Sequence, residues 1–209
     1  MRRYELGPFF QAFTMLFVLL NPFLMSIYLL DLLKRLEPGQ FFKVLMRAGL
    51  IAGTVFILFA WSGDLIFQRI IQARFSAFLI FGGLIFLLIA LRFVFQGSGA
   101  VSEFRGPVQH LAGAVAMPFM IGPGTISASI FSGTLLPPLQ AGLAIALAML
   151  AAVLSLFIFK LIHDHLHRSN ASLLERYIDI IGRISALLIG TIAVEMIFRG
   201  LEGWLQKQF

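Results

Sequence analysis

Few residues of this chain are equipped for chemistry, and nearly all of them lie in apolar surroundings. Glu195 sits within IAVEMIFRG (Ile192–Gly200). A carboxylate held inside hydrocarbon is a functional candidate, often a proton carrier, and here a candidate for coupling to an ion. The competing account is a side chain reaching its own interface, and Arg92 in IALRFVFQG (Ile89–Gly97) is read that way. A second kind of chemistry belongs to the backbone. Asn21-Pro22 interrupts VLLNPF, and Gly122-Pro123-Gly124 interrupts MPFMIGPGTIS. Proline removes an N–H and disrupts the bond to the carbonyl one turn back. Glycine permits backbone angles that other residues resist. Such a break frees N–H and carbonyl groups, and a half-helix starting near Thr125 would aim its positive end at the gap, where a carboxylate binds well. Asn21 adds an amide that both donates and accepts. The candidate binding residues are therefore Asn21, Pro22, Gly122, Pro123, Gly124 and Thr125, with Gly82 and Gly83 as a small-residue lining. The same residues admit a plainer use, as kinks and close-packing positions.

Other chemistry is sparse. His163, Asp164, His165 and His167 form a compact cluster that could suit a metal, or simply a solvated loop after a span. The chain has no cysteine, which excludes disulfides and thiolate sites. No phosphate loop, nucleophile elbow or paired catalytic carboxylates occur, so neither an enzyme nor a resident cofactor is expected, beyond H+ or Na+ as a coupling ion.

The elements that hold these residues must cross a membrane. Of 209 residues, 59% are hydrophobic and 12% charged, with mean hydropathy +0.94. Soluble domains have about 45–50% apolar and about 25% charged residues. The deviation runs along the whole chain, which predicts an all-α polytopic membrane protein forming one transmembrane domain over 1–209. The net charge of +6 is spread over loops, so nucleic acid is not a partner. At about 20 apolar residues per span, six stretches qualify, near 8–30, 42–62, 75–95, 108–135, 139–162 and 178–199. The first is a span and not a cleaved signal, since no small-residue cleavage site follows it. SGDLIFQRIIQA after the second span could form an interfacial helix.

Two spacings predict a duplication. Pro22 and Pro123 stand 101 residues apart, and IALRFVFQG and IAVEMIFRG stand 103 apart. Two halves, about 1–104 and 105–209, would each hold three spans, and an odd number inverts the second half. Broken spans in corresponding halves are the best sequence pointer to a transporter's binding site. Arg2, Arg3, Arg69, Arg74, Arg199 and Lys207 would flank one face; Lys34, Arg35, Lys43, Arg47, Arg92, Arg105, Lys160, Arg168, Arg176 and Arg183 the other. The positive-inside rule then places both termini outside.

LLNPF, MPFMIGPGTIS and IAVEMIFRG, together with Arg47 and Gly82-Gly83, resemble the MarC family of bacterial and archaeal inner-membrane proteins, over nearly the whole chain. Phe23 and Phe119-Met120 depart from the family pattern. The resemblance implies six spans in two inverted halves. Some members resemble transporters of small neutral amino acids such as glycine and alanine, driven by protons or sodium. The expected function is secondary transport of such a solute by alternating access, with the lipid bilayer and the solute as partners and homo-oligomers allowed. The alternatives are an exporter resembling the LysE type, or a membrane scaffold or regulatory subunit without transport.

Overall fold

The computed structural model describes residues 6–63, 65–96 and 108–205. All regular structure there is helical: α1 (Leu6–Leu20), α2 (Pro22–Tyr28), α3 (Leu30–Arg35), α4 (Pro38–Ser62), α5 (Phe75–Gln96), α6 (Val108–Val115), α7 (Pro123–Leu135) and α8 (Pro138–Leu205), with π-helical turns at Ile66–Ile71 and Ala116–Met120. Proline opens α2, α4, α7 and α8, where its missing N–H would have had no intrahelical partner and its fixed φ suits the first turn.

Four stretches are long and apolar enough to cross a membrane: Gly7–Ser26, Pro38–Ser62, Phe75–Arg92 and Pro138–His165. Large apolar side chains stay exposed along them. On α8, Leu139, Leu143, Leu147, Leu150, Leu154, Ile158 and Leu161 form one such stripe at helical spacing. Apolar surface of that extent suits lipid rather than water.

The expected fourth span is divided into α6, a π-turn and α7, each too short to cross alone. The loop expected between the fifth and sixth spans does not form, and α8 runs unbroken through it. The sequence explains this, because no glycine or proline occurs between Leu143 and Ile181. At 68 residues α8 exceeds any single span, and among the described residues only Pro138–His165 meets span criteria within it. The segment after α4 forms one π-helical turn rather than an interfacial α-helix.

The chain folds as two compact units. The first comprises Met1–Ile66 with Phe104–His163, and the second Phe67–Glu103 with Asp164–Phe209. Each unit therefore draws on both halves of the sequence.

In the first unit, burial repeats at a spacing of 100 residues. Ala12 and Ala112, Leu16 and Ala116, Leu20 and Met120, Leu29 and Ser129, Leu36 and Leu136, Leu45 and Ile145, Ala52 and Ala152, and Phe56 and Leu156 are all buried. Helix α4 and the start of α8 run antiparallel. Trp61 donates to the Pro138 carbonyl at 3.1 Å, Gly49 faces Val153 and Met149, Gly53 faces Met149, and the rings of Phe42 and Phe157 lie 5.0 Å apart. The contacts Gly49–Val153 and Gly53–Met149 exchange under the 100-residue spacing. Helix α7 packs on both α1 and α4, and α6 packs on α4.

In the second unit, α5 lies antiparallel to the C-terminal part of α8. A Cβ built at Gly83 would stand 2.8 Å from the Ala193 carbonyl, and one at Gly200 would stand 2.7 Å from that of Ser76. Glycine is needed at both positions because the partner atom is backbone. At one end Arg74 lies over the Trp204 ring, 4.6 Å from its centroid, and the rings of Phe67, Phe75 and Phe78 cluster nearby in sequence.

Candidate functional site: two paired helix breaks

The first break is a single residue wide. The N–H of Asn21 still bonds the Phe17 carbonyl at 3.1 Å, and α2 starts at the next residue. Asn21 holds φ 41°, the left-handed region that asparagine tolerates better than most residues. Its Oδ1 accepts the Leu24 N–H at 3.2 Å, capping α2. The amide oxygen therefore serves the start of α2.

The second break is wider and begins earlier than Gly122. Met117 is extended (φ −119°, ψ 129°) inside the π-turn, and Ile121 is extended after it. Gly122 is extended too (φ −128°, ψ 167°), a conformation open to any residue, so the freedom expected of this glycine is not used. Helix α7 then starts at Pro123, two residues before the expected Thr125. Thr125 is buried and ties the break together. Its Oγ1 accepts the Gly122 N–H at 2.9 Å and lies 2.8 Å from the Met120 carbonyl and 2.9 Å from that of Gly122. One hydroxyl proton serves these two carbonyls, so the three contacts form a compact knot.

The two breaks approach one another. Pro22, Gly122 and Pro123 are buried, and a Cβ built at Gly124 would lie 3.8 Å from Leu19 Cδ2, two residues before Asn21. Within the first unit the start of α7 therefore packs beside the last turn of α1, which leads into Asn21-Pro22. The N-terminus of α7 supplies partial positive charge at this point.

The other candidates lie elsewhere. Gly82 and Gly83 are buried in the second unit, and Gly83 meets Ile197 and the Ala193 backbone, a packing role. Glu195, in the same unit, is 58% exposed and accepts from Arg199 Nε at 2.7 Å, one helical turn on. Arg92 is exposed. His163, Asp164 and His165 stand on α8 and not in a loop. His163 is buried and His165 exposed, while the side chain of His167 lies outside the described residues. Among the described residues no group of three metal-binding side chains forms.

One functional candidate escaped the sequence. Lys160, expected as a loop-flanking cation, is only 3% exposed, and its Nζ donates to the Leu33 carbonyl at 2.7 Å. That carbonyl belongs to the last turn of α3, which lacks intrahelical partners and carries partial negative charge. Lys160 continues the face of Val153 and Leu156, both buried, and this i, i+3, i+7 placement was the available signal. A groove of about 350 Å³ lies between α4 and α8, lined by Gly49, Gly53, Thr54, Met149 and their neighbours. It is apolar and lies away from both breaks.

A profile of the MarC family of integral membrane proteins matches residues 6–205. A UPF0056 membrane protein of Aquifex aeolicus is 26% identical over 97% of this chain and 96% of its own length. The UPF0056 inner membrane protein YhgN of Escherichia coli K12 is 25% identical over 94% of this chain and 97% of its own length. No solved structure matches.

Proposed function

From the premise that this chain belongs to the MarC family of integral membrane proteins, we propose that it is a secondary transporter of a small neutral solute in a cytoplasmic membrane. The membrane assignment follows the inner-membrane relative YhgN, and the basic residues favour termini on the outer side. The observation carrying the proposal is that two helix breaks, Asn21-Pro22 and Met117–Gly122, fall in one unit, with Pro22 and Gly122 buried and the start of α7 against the last turn of α1. Buried polar backbone is costly in an apolar setting unless it is hydrogen-bonded, and transporters use interrupted backbone to hold solutes.

The solute class follows from the charges on offer. The α7 N-terminus attracts a carboxylate, and interrupted backbone offers carbonyls to an ammonium group. A zwitterionic amino acid carries both, and the small members glycine and alanine are the candidates. The exchanging contacts Gly49–Val153 and Gly53–Met149, on antiparallel helices, support two halves, about 1–104 and 105–209, in inverted orientation. Alternating access would then be a rocking of related elements. Glu195 is the candidate for ion coupling, although its exposure and its pairing with Arg199 also fit a lipid-interface role.

The test is uptake of labelled glycine and alanine by proteoliposomes under proton or sodium gradients. Failure with every neutral amino acid in both directions would overturn the transport reading. Export alone would favour the exporter alternative. One observation favours a non-transporting scaffold: Thr125 has its hydroxyl engaged within the chain, and the groove described above lies away from the breaks. A scaffold gives no flux in this assay for wild type or for Gly122→Val, whereas a transporter loses flux in that variant.

A further inference from the structure

We infer that two chemically different contacts at opposite ends of the first unit, Lys160–Leu33 and Gly133–Ala60, are a matched pair of gates. The inference rests on the alternating-access reading above and adds to it the residues that close each side.

Leu33 and Gly133 stand 100 residues apart, as do Ala60 and Lys160. Lys160 Nζ bonds the Leu33 carbonyl at 2.7 Å. A Cβ built at Gly133 would overlap the Ala60 carbonyl oxygen and come within 2.6 Å of the carbonyl carbon. So residue 33 meets residue 160, and residue 133 meets residue 60. The two contacts are one contact with the halves exchanged. In each, the arm following a helix break (α2–α3 or α7) closes against the helix that follows the corresponding arm of the other half (α8 or α4).

Their ends differ. Trp61 bonds Pro138, which fixes Ala60 beside the start of α8. Lys160 stands 22 residues further along that helix. That is about 33 Å at 1.5 Å per residue, roughly a bilayer core away. Between the two contacts lie the breaks at Asn21 and Gly122. A closure at each end with interrupted backbone in the middle is the layout that alternating access needs.

The chemistry differs as well. Gly133–Ala60 is a close backbone crossing, held by van der Waals contact that is lost with a small separation. Lys160–Leu33 is a charge-assisted bond between a buried ammonium and a helix C-terminus, stronger than a neutral bond and opened only with water or another acceptor at hand. The two gates therefore open by different means, one by sliding and one by hydration.

The chain's lack of cysteine makes the test direct. Leu29 and Ser129, themselves 100 residues apart and both 0% exposed, report on the two arms. Each is replaced singly by cysteine and labelled with a membrane-impermeant maleimide in right-side-out and in inverted vesicles. Lys160→Met should raise labelling of the Leu29→Cys reporter by about tenfold or more, the lower end of what one charge-assisted hydrogen bond contributes, and only from the face bearing Leu33. Lys160→Arg keeps the donor and should leave labelling unchanged. Gly133→Ala should raise labelling of the Ser129→Cys reporter, only from the opposite face. The inference is overturned if Lys160→Met changes neither reporter, changes both equally, or acts from the wrong face. It is also overturned if Lys160→Arg labels like Lys160→Met. If Gly133→Ala does not fold, the Lys160 pair alone decides. Labelling needs no transported solute, so loss of the gates and loss of the transport reading are separable.

Discussion

Gly133→Ala should destabilise the protein through one atom. The new Cβ would overlap the Ala60 carbonyl oxygen and lie 2.6 Å from its carbon, where ordinary contacts start at 3.4 Å. The obstacle is helical backbone, so no side chain can swing aside. Helix α7 must retreat from α4 by about 0.8 Å or more, a gap that forfeits about a quarter to a half of each contact's dispersion energy along the crossing. Overpacking of this kind costs about 3 kcal/mol at the upper end of its usual range. Alanine's helix preference returns about 1 kcal/mol, leaving a net loss of about 2 kcal/mol. For a chain of this size that lowers Tm by about 4–8 °C. The matched control is Gly142→Ala on α8, where a built Cβ meets nothing within 4 Å. Only the propensity gain acts there, and Tm should rise by about 1–4 °C. Thermal unfolding of the detergent-purified variants, followed by size-exclusion fluorescence, measures both. Equal shifts, or a Gly133→Ala protein as stable as wild type, would refute the close crossing.

Thr125→Val should loosen the second break, because it deletes the Gly122 N–H acceptor and the donor to Met120 and Gly122, at a cost of about 2–3 kcal/mol. Thr125→Ser should recover most of this, and hydrogen exchange of the Gly122 amide is the readout. Gly200→Ala should lower Tm by an amount similar to Gly133→Ala, since its Cβ would meet the Ser76 carbonyl at 2.7 Å. Glu195→Gln should change unfolding stability by less than about 0.5 kcal/mol, since exposed i,i+4 pairs are weak. If Glu195 couples an ion, the same variant abolishes gradient-driven uptake while leaving stability intact.

The sequence was most legible where it forbids something. Proline cannot continue a helix, so the positions of Pro22 and Pro123 marked both breaks to within a few residues. Four of the six expected apolar runs are long and apolar enough to cross a membrane among the described residues; the fourth is divided, and the sixth lies within α8. The repeat expected from spacings of 101 and 103 residues has its counterpart in burial that recurs at 100 residues in the first unit; Leu20–Leu29 and Met120–Ser129 enclose equal numbers of residues, and the two prolines fall one position apart within them. What stayed illegible depended on tertiary context. Met117 adopts an extended conformation that its residue type does not announce. Gly133 looks like any other membrane glycine until Ala60 is placed against it. Lys160 was misread because a lysine at the end of an apolar run ordinarily reaches for water. Its burial depends on Leu33, which lies 127 residues away.

That lysine also has a bearing on how the chain is built. As the nascent helix enters the membrane, a cation near its end biases which way the helix is threaded. Folding then withdraws the same cation from the surface and gives it to the end of α3. In the folded chain the residue is a clasp between α8 and the end of α3. Replacing it would remove a positive charge from the helix and a structural fastening in one step, and the two losses would arise at different stages in the life of the protein.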